Sequence, residues 1–256
     1  MKKILSVTVL MTLVSMSSFA QLPGQEMLPP SPQNTIHFVY GASTNYVERI
    51  AYDAYEEANA AAGDADVVFI GDSITQNWYA FHRTFFDRNG FLARGISGQT
   101  SIEILCRFRQ DVVKHNPKVV VMMIGTNDVA QNVGAISDEC YLDNVASACD
   151  IAKANGIKML LCSIPPCDFF PWSPELTPVT DIVRLNGKLQ AYAAENGIQY
   201  VDFFSILNNG RNGMIEEYTS DHCHPTPAGY NIMERFVVNE INKALGTDTD
   251  YFVTKD

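Results

Sequence analysis

The chain has 256 residues, 46% of them hydrophobic and 18% charged, enough to bury one sizeable core and unlike a disordered, collagenous or coiled-coil chain. Its formal charge of −11 argues against nucleic acid as a partner and against adsorption to anionic membranes. It says little about a neutral substrate.

Lys2 and Lys3 open the chain, residues 4–16 form an apolar run broken only by Ser and Thr, and Ser18-Phe19-Ala20 supplies small residues at a cut site. This layout predicts a signal peptide over 1–20, cleaved after Ala20, with export to the periplasm or beyond. The apolar run is short of the roughly 20 residues that span a bilayer, so no stable insertion is expected after cleavage. Gln21, not Cys, follows the cut, which argues against lipid attachment; loss of the two lysines takes the formal charge to −13.

Residues 21–45 carry Pro23, Pro29, Pro30 and Pro32 and no helical periodicity, so they read as an N-terminal arm. An Ala- and Glu-rich stretch, 46–62, reads as a helix stopped by Gly63. Strand-like runs follow at 67–70, 90–94, 119–124, 157–164 and 198–204. Stretches with helical spacing lie between and after them, at 102–115, 137–155, 178–196 and 227–245. In the last, Tyr230, Met233, Val237, Ile241 and Leu245 build one apolar face behind a Thr226-Pro227 start. Such alternation predicts an α/β fold, a mostly parallel sheet covered by helices on both faces, as a single domain over 46–256. Right-handed crossovers put every strand's C-terminal end on one rim, where ligands bind.

Four segments fall on that rim. Gly71-Asp72-Ser73 follows the first strand and enters a helix, so the Ser73 hydroxyl and amide share a space with positive potential. There is no Gly-x-Ser-x-Gly elbow. Gly95-Ile96-Ser97-Gly98 and Gly125-Thr126-Asn127-Asp128 follow the second and third strands, and glycine amides and an Asn side chain suit an oxyanion. Asp221-His222-Cys223-His224 precedes the last helix; a turn there can set a carboxylate on the imidazole that serves a serine. Read as metal ligands, the same four residues match no common zinc spacing, so no metal site is expected.

These four blocks resemble the SGNH hydrolases, or GDSL esterases, over residues 67 to about 245. Within that family the chain looks most like the branch of platelet-activating-factor acetylhydrolase subunits and carbohydrate acetylesterases. The resemblance implies a three-layer α/β/α, flavodoxin-like fold with a five-stranded parallel sheet. It implies Ser73 as nucleophile, His224 as general base and Asp221 as the group orienting it. The Ser73 and Gly98 amides and the Asn127 side chain would form the oxyanion hole, and no metal or organic cofactor is required. Many members carry Asn two residues before the second block, where this chain has Ala93; Asp72 reads as structural, bonding nearby backbone.

The expected substrate is a small-molecule or glycan ester with a short acyl group, since no long apolar lid segment is present. The aromatic residues considered for substrate contact are Trp78, close after Ser73, and Trp172, in a Pro-rich loop; Phe169 and Phe170 in that loop read as packing. The alternatives are a lysophospholipase or thioesterase with the same residues, and a non-catalytic carbohydrate-binding protein on the same fold. Six cysteines leave open Cys140–Cys149 or Cys162–Cys167 pairs and buried free thiols.

Overall fold

In the computed structural model of the chain, residues 31–35 and 49–255 are described. The expected signal peptide, most of the Pro-rich arm and the start of the 46–62 helix lie outside them. Five strands, β1 (Val67–Gly71), β2 (Leu92–Gly95), β3 (Val119–Met123), β4 (Lys158–Cys162) and β5 (Gln199–Val201), pair in parallel in the order β2-β1-β3-β4-β5. This is the flavodoxin-like order, with its switch point between β1 and β3.

β1, β2 and β3 are buried along their whole length, as strands covered on both faces must be. Alternation then divides the core. Val68, Ile70, Val120 and Met122 face Ile104 and Phe108 of α4 (Ser101–Asp111), Val145 of α6 (Asp138–Ala154) and Leu189 of α7 (Pro178–Asn196). Val67, Phe69 and Val121 face Trp78 of α2 (Ser73–Phe81), Phe85 of α3 (Arg83–Asn89) and Met233 and Val237 of α9 (Pro227–Leu245). The start of α9 follows its sequence: the Thr226 hydroxyl accepts the Gly229 amide and Pro227 fills the first turn.

Some expectations needed correction. Within its described part, the 46–62 helix is interrupted at 51–55, where Ala51 takes a left-handed φ of 48°, and resumes as α1 (Glu56–Ala61). Beyond Ala51 the Tyr55 hydroxyl donates to Gly95 O at 2.6 Å under the Arg94 guanidinium, so anchoring to β2 outweighs helix propensity. The strand placed at 90–94 begins at Leu92, since Gly90, at φ 68°, is the left-handed cap of the unforeseen α3. The last strand stops at Val201 because Asp202 caps α8 (Phe203–Leu207) by accepting the Ser205 amide. All six cysteines are free.

Candidate active site

β1 delivers the first block to the rim. A Cβ at Gly71 would lie 2.6 Å from Met123 O, so only glycine lets β1 end that close to β3. Asp72 caps α2, its Oδ1 accepting the Ile74 amide at 2.9 Å. Ser73 is the first residue of α2, where amides have no partner inside the helix.

The loop between Thr219 and Pro225, closed by an antiparallel bridge, brings up the fourth block. His222 makes its turn at φ 71°. Asp221 Oδ1 accepts the Cys223 and His224 amides at 3.0 and 2.7 Å, and Oδ2 lies 2.7 Å from His224 Nδ1. His224 Nε2 is 2.9 Å from Ser73 Oγ. With Nδ1–H donating to the carboxylate, Nε2 is left to accept the Ser73 hydroxyl proton. Burial works against the charged form of Asp221, yet the His224 ring and the two amides outweigh it and hold this carboxyl well below the usual range.

The second and third blocks close the same space. Gly98 turns the chain at φ 78°. Gly125, at φ 123°, admits no Cβ against Ile164 and the Tyr141 hydroxyl, and it opens α5 (Thr126–Val129), which carries Asn127. Asn127 Nδ2 donates to Gln99 O at 3.0 Å and to Asp72 Oδ2 at 3.3 Å. Burial pushes Asp72 up to about 6, against the Ile74 amide and the charge of His224. Asp72 thus bonds nearby backbone, as read, and also reaches across to Asn127.

Other side chains of the site carry no motif. Buried Arg107 donates to Gly71 O, Arg94 O, Gln99 Oε1 and Asp111 Oδ2, holding the ends of β1 and β2 together. Its signal was a charged pair, Arg107 and Asp111, spaced i and i+4 on the face that also carries Ile104 and Phe108. Asp128 accepts the Ser101 amide and hydroxyl, joining the third block to α4. Asn132, five residues after Asn127, has no sequence signal and is taken up below.

The aromatic residues separate. Trp78 is 0% exposed, stacked on Phe85 and Tyr230, with its Nε1 donating to buried Glu234; this corrects the expectation that it meets substrate. Trp172 is 41% exposed, with its ring centroid 5.6 Å from that of His224. Phe170 is buried as expected, whereas Phe169 is exposed beside His222, which itself pairs with Asp168 at 3.0 Å. Ala93 packs in the core below α2, and its amide donates to Asn34. A cavity of about 550 Å³ at the opposite rim, between Cys149, Tyr192 and Lys243, touches none of the site residues. Among the described residues no group of three or more His, Cys, Asp or Glu could hold a metal, and no helix is long and apolar enough to cross a membrane.

The Ser, Gly, Asn and His blocks thus stand together on one rim of a flavodoxin-like sheet. The profile of the GDSL-like Lipase/Acylhydrolase family matches residues 69–232, and the chain belongs to that family of esterases and acylhydrolases. Among solved structures it is similar to a GDSL-like lipase from Bacteroides thetaiotaomicron, 40% identical, covering 76% of this chain and 98% of that one, with a TM-score of 0.74. It shares its fold with Axe2, an acetylxylan esterase from Geobacillus stearothermophilus, at 20% identity, 70% and 95% coverage and a TM-score of 0.54. Esterase TesA of Pseudomonas aeruginosa is 29% identical over 65% of this chain and 78% of that protein. An uncharacterized lipoprotein, YqeF of Bacillus subtilis, is 31% identical over 41% of this chain, a match that spans 50% of that protein.

Proposed function

We propose that this chain is an exported serine esterase that removes short acyl groups, chiefly acetyl, from a carbohydrate. The observation that carries the catalytic part is the unbroken path from Asp221 Oδ2 through His224 to Ser73 Oγ, at 2.7 and 2.9 Å. In this reading His224 takes the Ser73 proton as Oγ attacks the ester carbonyl. The Ser73 and Gly98 amides and Asn127 Nδ2 receive the oxyanion. Of the two bonds Asn127 Nδ2 donates, the 3.3 Å contact with Asp72 is the one an oxyanion replaces. His224 then gives its proton to the leaving alcohol, and water repeats the steps on the acyl-enzyme.

The carbohydrate part rests on Trp172, whose exposed ring beside His224 offers a face to a sugar. The fold shared with an acetylxylan esterase shows that this scaffold exists in a protein so named; at 20% identity it lends the scaffold and not the substrate. Export rests on the N-terminal pattern of Lys2, Lys3, the apolar run and Ala20. The test is hydrolysis of p-nitrophenyl acetate, butyrate and octanoate beside acetylated xylo-oligosaccharides. Rates that fall with chain length, with acetate released from the oligosaccharide, are expected; a preference for octanoate would replace this reading with a lipid or thioester one. Trp172→Ala is expected to raise KM for the oligosaccharide about tenfold, the worth of one aromatic contact.

A further inference from the structure

Asn132 lies outside all four sequence blocks, yet its carboxamide touches two of the residues that supply the oxyanion donors in the reading above. Its Nδ2 donates to Asn127 Oδ1 at 2.8 Å and to Gly98 O at 3.1 Å, and its Oδ1 accepts Trp172 Nε1 at 3.2 Å. Both hydrogens of its NH2 group are therefore committed. Its backbone is tied as well: the Asn132 amide donates to Asn127 O at 3.1 Å, and Asn132 O accepts Arg49 Nη2 at 3.2 Å. Gln131, at φ 55°, turns the chain back after α5 and sets residue 132 beside residue 127.

We propose that Asn132 is a positioning residue that fixes which end of the Asn127 carboxamide faces the reacting ester, an inference that rests on the oxyanion-hole reading. A carboxamide is nearly symmetric in shape, and only its hydrogen bonds decide where the NH2 group points. By donating to Asn127 Oδ1, Asn132 turns that oxygen away and leaves Asn127 Nδ2 toward Asp72 and Gln99 O. Rotated by half a turn, Asn127 would set its NH2 against that of Asn132, and its oxygen against Gln99 O and the Asp72 carboxylate. Acceptors facing acceptors in a buried site are costly, so the donor end is fixed before substrate arrives. The second hydrogen of Asn132 Nδ2 holds the Gly98 carbonyl, restraining a glycine that its own conformational freedom would leave loose. Trp172 completes the arrangement, since its donation to Asn132 Oδ1 makes the orientation of Asn132 itself one-sided.

The test compares wild type, Asn132→Ala, Asn132→Asp and Asn127→Ala on p-nitrophenyl acetate, with kcat and KM separated and thermal midpoints recorded so that kcat is counted per folded molecule. Asn132→Ala is expected to lower kcat about 10- to 100-fold with KM within about threefold, the pattern of a contact that matters in the transition state. Asn132→Asp keeps the shape but sets an oxygen against Asn127 Oδ1 and Gly98 O, and it is expected to be slower than Asn132→Ala. A residue that only filled space would give the reverse order. If both Asn132 variants keep kcat within about twofold of wild type while Asn127→Ala loses roughly 10²–10³, the positioning role is wrong and the oxyanion hole stands. If Asn127→Ala is itself near wild type, the oxyanion-hole reading fails and takes this inference with it.

Discussion

Asp221 grips His224 twice, at the ring through Oδ2 and at the backbone amide through Oδ1, each at 2.7 Å. One carboxylate thus sets both the tautomer of the imidazole and the turn that carries it. Asp221→Asn keeps an acceptor for the amides but offers an N–H donor or a weak neutral acceptor to Nδ1. The expected result is a loss of kcat of roughly 10²–10⁴ with the fold intact, checked by steady-state kinetics beside circular dichroism. Wild-type rates in this variant would mean that the carboxylate does not orient the base.

Trp78 stands at the centre of the second core, in ring contact with Phe69, Phe85, Phe86, Phe203 and Tyr230. Trp78→Ala opens a large cavity and removes the indole N–H from buried Glu234. A loss of stability of about 3–5 kcal/mol is expected, read from denaturant midpoints. A stable variant with a raised KM would restore Trp78 as a substrate contact.

Asp128 is pushed up to about 6 by burial, against the Ser101 hydroxyl and amide. Its folded pKa is above its unfolded one, so between about pH 4 and 6 the folded state holds the extra proton, and this group's contribution to stability falls as pH rises. Asp128→Asn removes that titration. Its stability relative to wild type is expected to improve by about 1–3 kcal/mol from pH 4 to 7 and to stay level above, followed by thermal midpoints across pH. A difference that does not change with pH would show that Asp128 is not shifted.

The candidate site was legible because three short blocks stand at strand ends and a fourth just before a helix start, and alternation of strand and helix brings such ends to one rim. Ser73, Gly98, Asn127, Asp221 and His224 do meet on one rim. What the sequence hid depends on three-dimensional company. Trp78 and Trp172 are the same residue type near motifs, yet one lies in an aromatic core and the other faces solvent beside His224. Asn132 acts through partners at positions 98, 127 and 172, and no spacing announces such a hub. The short α3 was missed because two adjacent phenylalanines, Phe85 and Phe86, both turn inward, and no single amphipathic stripe marks it.

The most direct test of the account is turnover of p-nitrophenyl acetate by the purified protein beside Ser73→Ala. The variant is expected to lose roughly 10⁴-fold or more in kcat while folding as wild type does, since members of such a triad act as a unit. Equal rates for the two proteins would mean that Ser73 Oγ is not the nucleophile, and the esterase mechanism built on it would be wrong.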